Sequence, residues 1–242
     1  MSTRLTNVVM DASDLTTIAR FWKAALDWEI TYEAPDEVVV SPPGDDYGVD
    51  LIFVPVPEPK TVKNRIHLDL ASRSSNDQQA TVERLTSLGA TPIDIGQGVV
   101  PWAVFADPEG NEFSVLEPRG ESADTGALAA IVVDAANPPL LAAFWTEAAG
   151  WPIVRSNARM ADLRAPSGRG PWLEFVQVSE PKQVKNRVHL DVAPWAADDQ
   201  AAEVARLEEL GAKHTDVGQR DVIWVVLADP EDNEFCVLSS RD

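Results

Sequence analysis

Across 242 residues, 39 acidic side chains outnumber 20 basic ones and leave a formal net charge of −19, a balance that repels phosphate backbones and anionic headgroups and argues against nucleic acid and membrane surfaces as partners. Cys236 is the only cysteine, so neither an internal disulfide nor a cysteine-rich metal site can form. No long apolar run and no charged-then-apolar start marks a membrane span or an export signal, so a cytoplasmic protein with a small-molecule partner is expected.

The first apolar run, Asn7 to Ala12, is short and leads into Ser13-Asp14, which reads as a strand followed by a helix cap. Leu15, Ile18, Trp22, Ala25 and Leu26 then recur at helical spacing and predict a helix from Asp14 to about Leu26. Strand-like stretches follow at 29–32, 37–41 and 50–54, which spells β-α-β-β-β. Residues 65–70 start the pattern again as a strand, and Val82, Leu85 and Leu88 form a helical stripe closed by Gly89. Three more strands are expected near 91–95, 100–105 and 112–116, the last two joined by the turn Asp107-Pro108-Glu109-Gly110-Asn111.

The whole series then repeats. Lys63-Asn64-Arg65-Ile66-His67-Leu68-Asp69 returns as Lys185-Asn186-Arg187-Val188-His189-Leu190-Asp191, at a lag of 122. The same lag carries the turn at Asp107 onto Asp229-Pro230-Glu231-Asp232-Asn233, and Trp102 onto Trp224. Phe21-Trp22 and Phe144-Trp145 correspond at a lag of 123, on helices where core packing is the expected role. In the second copy Asn137 caps the helix, Pro138 sits at its first position and Gly150 ends it. The chain is therefore expected to be α+β, with one domain at 1–119, a polar linker at 120–126 and a second domain at 127–242. Each half is expected to pair its own two modules into one half-open curved sheet of eight strands, with two helices on the convex side.

Strand alternation assigns faces. Ile66, Leu68 and Leu70 must pack on a helix, which turns Arg65, His67 and Asp69 to the other side. The same parity groups Asn7, Val9 and Asp11, then Glu112, Ser114 and Leu116. In the second half it groups Trp172 with Glu174, Arg187 with His189 and Asp191, and Glu234 with Cys236. The pairs His67 with Asp69 and His189 with Asp191 are candidate acid–base groups, the carboxylate holding the imidazole. A buried polar network that fixes the sheet, with Arg65 as third member, explains the same residues. Trp102, Trp172 and Trp224 face away from the helices and can wall a cavity, as they can also simply pack. With Asn7, Asp11, Arg65, Ser114 and Arg187 they form the candidate ligand surface, suited to a planar cationic or hydrogen-bond-rich molecule. The Asp107 turn is expected to be structural.

Paired β-α-β-β-β modules, a strand closing on Asp-Leu before a helix with Phe-Trp, a strand with His-Leu-Asp and an Asp-Pro-Glu-Gly-Asn turn before the last strand resemble the vicinal oxygen chelate superfamily. This is the fold of glyoxalases, bleomycin-resistance proteins and extradiol dioxygenases, and the detail is most similar to the two-domain glyoxalase-like proteins of actinobacteria. The resemblance implies a metal held by His, Gln or Glu from the first and last strands. Carried over by position, it gives Asn7, Ile52, His67 and Ser114 in the first half, and Ala130, Glu174, His189 and Cys236 in the second. The first set has one good ligand, so no cofactor is expected there. A divalent metal, if any, is expected in the second domain on Glu174, His189 and Cys236. The leading expectation is a small-molecule binding or sequestering protein with incomplete metal ligation. The alternative is a lyase, isomerase or dioxygenase-like enzyme using His and Asp as acid and base or a second-domain metal. A homodimer is compatible with either.

Overall fold

A computed structural model of the chain describes residues 3–44, 49–219 and 222–241. The first module runs β1 (Thr3–Ala12), α1 (Leu15–Leu26), β2 (Glu29–Ala34), β3 (Glu37–Ser41) and β4 (Asp50–Pro55). The second runs β5 (Ile66–Leu70), α2 (Ser75–Ser87), β6 (Thr91–Pro92), β7 (Ala103–Ala106) and β8 (Glu112–Val115). The third comprises β9 (Leu128–Ala135), α3 (Pro138–Ala149), β10 (Ile153–Asn157), β11 (Met160–Arg164) and β12 (Trp172–Gln177). The fourth comprises β13 (Val188–Pro194), α4 (Gln200–Glu209), β14 (Lys213–His214), β15 (Val225–Ala228) and β16 (Glu234–Val237). The strand expected at 91–95 stops at Pro92 and its partner begins only at Ala103, because Gly96 and Gly98, at φ 87° and 72°, and Pro101 break the extended backbone between them.

The modules pair into two curved, unclosed eight-stranded sheets, which makes the fold α+β as expected. Their partners differ from the expectation. Sheet A has the order β14-β15-β16-β13-β1-β4-β3-β2 and joins the first module to the fourth; sheet B has the order β10-β11-β12-β9-β5-β8-β7-β6 and joins the second to the third. Each sheet therefore takes one module from each half of the sequence. Strand patterning cannot choose between these pairings, since Ile66/Leu68/Leu70 and Val188/Leu190/Val192 offer β1 the same apolar face. The connections decide. The 120–126 stretch holds a 3-10 turn at Gly120–Ser122 and a buried Thr125. Just after it, the Ala71 amide donates to the Ala127 carbonyl, which fixes β9 antiparallel beside β5.

The face assignment holds. Ile66, Leu68 and Leu70 belong to the core, and one apolar cluster runs through the helix-covered faces of both sheets. Within each half the modules pack back to back through the aromatic pair: Trp22 meets Phe113 at 5.3 Å between ring centroids and Trp145 meets Phe235 at 5.4 Å. The Asp107 turn is structural, and the contacts say why. Asp107 accepts from the Trp22 indole at 3.1 Å and from its own turn amides, while Glu109 accepts from the Ser13 and Asp14 amides at the start of α1. Asp229 and Glu231 repeat both roles for Trp145 and for Ala136 and Asn137. Asn137 caps α3 by accepting from the Leu140 amide at 3.2 Å. Its replacement by Ala is expected to cost about 1 kcal/mol in urea denaturation.

Candidate functional site

The open faces of the two sheets carry the candidate residues, and the strand registers order them into rows. On sheet A one row reads Val39, Ile52, Val9, His189 and the next Asp50, Asn7, Asp191, Cys236, Val226. On sheet B the corresponding rows read Asp162, Glu174, Val132, His67 and Arg164, Trp172, Ala130, Asp69, Ser114, Val104. The duplicated histidines and aspartates thus sit at matching points of two surfaces that have otherwise diverged.

Around His189 the neighbours along the row are apolar. Burial, with the Lys185 charge adding to it, lowers its pKa to about 3 and keeps the imidazole neutral. Asp191 is raised to about 7 by burial, against a hydrogen bond from Asn7 that favours its charge. Its Oδ2 accepts from Asn7 Nδ2 at 3.2 Å, and its Oδ1 is buried without a hydrogen-bond partner, 3.6 Å from His189 Nε2. Burial, then the Asp191 carboxylate beside it, pushes the Cys236 thiol well above its ordinary range. The ligating atoms of His189, Asp191 and Cys236 all lie within 4.8 Å of one another. Ala193, Val226, Cys236 and Leu238 form a small apolar cluster apart from the main core, and Trp224, 39% exposed, lies just before β15 in the chain.

Nitrogen, carboxylate oxygen and sulfur from three side chains, with one buried oxygen unpaired, fit a borderline-soft divalent ion such as zinc, leaving a position for an exchangeable ligand. Glu174 is not part of this group. It stands on sheet B beside Val132 and His67, because β12 pairs with β9 and not with the fourth module. Among the described residues no group of three candidate ligands assembles on sheet B.

Sheet B holds charge instead. Glu174 has its pKa raised to about 7, first by burial and then by Asp162 and Asp69. Arg155 donates to the buried Asp162 at 2.6 Å and pairs with Glu121, and Arg119 forks onto Glu117 at 2.7 and 3.2 Å. His67 and Asp69 approach to 3.5 Å, longer than a hydrogen bond, so this pair is no better joined than its copy on sheet A. The indoles expected to stack a cation are faced by the chain's own guanidinium groups: Arg119 lies 5.6 Å from the Trp102 ring, and Arg155 and Arg164 lie 5.3 and 4.7 Å from that of Trp172. Trp224 is the one left open to solvent.

Arg65, Arg187 and Asp11 leave both open faces. Arg65 donates to the Asp134 and Glu180 carbonyls and to Asn233; Arg187 donates to the Asp11 and Glu58 carbonyls; Lys185 bridges to the Asp11 carboxylate at 2.6 Å. They tie together the segments that cross between the sheets and line a cleft of about 880 Å³ there. Three residues of consequence escaped the sequence reading. Arg119, Arg155 and Asp162 have no counterpart in a short motif, although the alternation of Met160, Asp162 and Arg164 along β11 already placed Asp162 on a polar strand face.

The glyoxalase-like domain family matches residues 7–116 and 130–238, nearly the whole chain in two copies. The chain belongs to this family. Its place in the vicinal oxygen chelate superfamily, inferred from the repeated motifs, is thereby shown. The fold is similar to that of glyoxalase I from Zea mays, at 17% identity over 98% of this chain and 92% of the other, with a TM-score of 0.68. A mutant of the maize protein, also at 17% identity over 98% of this chain, gives 0.70 with 94% of its own chain covered. A putative dioxygenase from Bacillus subtilis gives 0.66 at 12% identity, over 98% of this chain and 85% of that one. Among curated proteins no match is found. At these identities the similarity is one of fold, and the family's scaffold hosts several chemistries. No helix among the described residues is long and apolar enough to cross a membrane.

Proposed function

We propose that the chain is a small-molecule-binding member of the superfamily whose working site is the open face of sheet A, with a divalent metal ion held by His189, Asp191 and Cys236. The supporting observation is the buried Oδ1 of Asp191, unpartnered among a neutral imidazole, a carboxyl group and a thiol whose donor atoms lie within 4.8 Å. Leaving such an oxygen unpaired costs on the order of 1 to 3 kcal/mol, which a bound cation offsets. When bound, the ion would act as a Lewis acid on an oxygen-bearing ligand and stabilise the Cys236 thiolate. The protein groups around it hold the rest: Asn7 fixes the Asp191 carboxylate, Val9, Val39 and Ile52 exclude water from His189, and Val226, Leu238 and Trp224 offer apolar surface to the ligand body. A thiol that must stay reduced suits a cytoplasmic setting.

Elemental analysis of protein purified without chelator tests the reading. About one ion per chain is expected, lost in His189→Ala and in Cys236→Ser and kept in His67→Ala. Metal that disappears with His67 and survives without His189 overturns it. The enzymatic alternative, a lyase, isomerase or dioxygenase-like reaction at the same ion, differs in outcome: a bound carbonyl compound would be turned over instead of retained.

A further inference from the structure

Sheet B carries a feature that the metal reading leaves unused. Four of its buried polar atoms lack hydrogen-bond partners: His67 Nδ1, Asp69 Oδ1, Asp162 Oδ1 and Arg164 Nη1. All four belong to the two open-face rows. Asp162 is completely buried, and Asp69 and Arg164 are 8% and 7% exposed. Buried polar groups are nearly always satisfied, and each left alone costs free energy, so four on one surface indicate a bound polar species. Three of the four belong to side chains that can accept a hydrogen bond. Glu174, between Asp162 and Val132 in the same row, adds a carboxyl group that makes no hydrogen bond or ion pair among the described residues.

The divergence between the two sheets has a direction. Where sheet A places Val39 and Ile52 beside its histidine, sheet B places Asp162 and Glu174; where sheet A has Asn7 and Cys236 flanking its aspartate, sheet B has the small Ala130 and Ser114. Sheet B thus has carboxylates where sheet A has aliphatic side chains, and smaller side chains beside its aspartate. The nearby arginines do not reverse the sign. Arg155 is paired with Asp162 and Glu121, Arg119 with Glu117, and Arg164 donates to the Asp124 and Gly168 carbonyls, so none of the three is paired with Asp69 or Glu174.

We propose that the open face of sheet B is a second, metal-free site for a small cation bearing several N–H donors, an amidinium or a related planar amine, read by Asp69 and Glu174. The site does not depend on the ion of sheet A, so the two readings fail separately. A planar amidinium matches a carboxylate through paired N–H donors as a guanidinium does. Its flat body would lie over the small Ala130 side chain, next to Asp69 in the row. Because Glu174 holds a proton up to about pH 7 in the empty site, ligand binding is coupled to release of that proton.

Benzamidinium is the probe, followed by calorimetry on the full chain with benzoate and benzamide as controls. Benzamidinium is expected to bind with chelator present and in His189→Ala, and to weaken about tenfold or more in Glu174→Gln and in Asp69→Asn. Its affinity should rise between pH 6 and pH 8, and this rise should vanish in Glu174→Gln. Thermal melts of both variants confirm folding, and two independent positions guard against one local collapse. The proposal is overturned if benzoate binds and benzamidinium does not, if chelator or His189→Ala abolishes binding, or if millimolar benzamidinium gives no heat at either pH.

Discussion

Asp229→Ala is expected to destabilise the chain by about 3 to 5 kcal/mol. Asp229 is fully buried, and every oxygen lone pair it offers is in use. Oδ1 accepts from the Glu231 and Asn233 amides at 2.9 and 3.0 Å, and Oδ2 from the Trp145 indole at 3.1 Å and the Asn233 side chain at 3.0 Å. Alanine leaves these donors without an acceptor in a site closed to water. It also frees Trp145, whose ring packs on Phe144 and Phe235, so the turn, α3 and β16 loosen together. For a chain of this size the melting temperature should fall by roughly 10 °C or more. Urea denaturation is the measurement, and a loss of less than about 1 kcal/mol in unfolding free energy would show that the turn closes on water instead. Asp107→Ala in the first half is expected to act in the same way, because Trp22 and Asn111 repeat every contact.

Much of this is legible in the sequence. Apart from β6 and β7, which are shorter than expected, the strands and helices fall where apolar periodicity puts them, since each element buries one face and must repeat at its own period. The Asp14 and Asn137 caps, and Gly150 at φ 69°, are local chemistry that neighbouring residues dictate. The orientation of His67, His189, Asp69 and Asp191 followed from the parity of one strand. What alternation cannot carry is which strand lies next to which. β5 and β13 are near copies, so β1 finds the same apolar face on either, and only the path of the connections separates the two arrangements. That single ambiguity moved Glu174 from the company of His189 and Cys236 to that of His67, and with it the composition of both candidate sites.

The motifs that stand out most in the sequence proved the least informative about chemistry. Lys63-Asn64-Arg65 and its copy recur because Lys63 bridges to Asp134 at 2.6 Å and Lys185 to Asp11 at 2.6 Å, while Asn64 and Asn186 brace the turns at Asn111 and Asn233. Duplicated structure keeps duplicated contacts. The residues that distinguish the two open faces, Asp162, Glu174 and Trp172 against Val39, Ile52 and Asp50, lie outside these motifs. Function in a duplicated chain is better sought where the copies disagree.

Glu174→Gln should flatten the dependence of stability on pH. The Glu174 carboxyl group is raised from an ordinary 4.5 to about 7, chiefly by burial and secondarily by Asp162 and Asp69. The folded chain therefore binds a proton that the unfolded chain has already released between these two values, and in that window stability falls as pH rises. The contribution of this group is present below about pH 4.5, and is lost as pH rises through about 7. Its full size is on the order of 2 to 3 kcal/mol, since each pKa unit is worth about 1.4 kcal/mol and the group keeps some contact with solvent. Other raised carboxyl groups, Asp191 among them, titrate in the same range, so the informative quantity is the difference between the two proteins and not either curve alone. Glutamine keeps the shape of the protonated acid and cannot ionise. The variant should match the native chain at pH 4.5 and exceed it at pH 7.5, with urea midpoints measured at both. A constant difference across the range would mean that Glu174 ionises normally in the folded chain, and that water or a counter-ion reaches it.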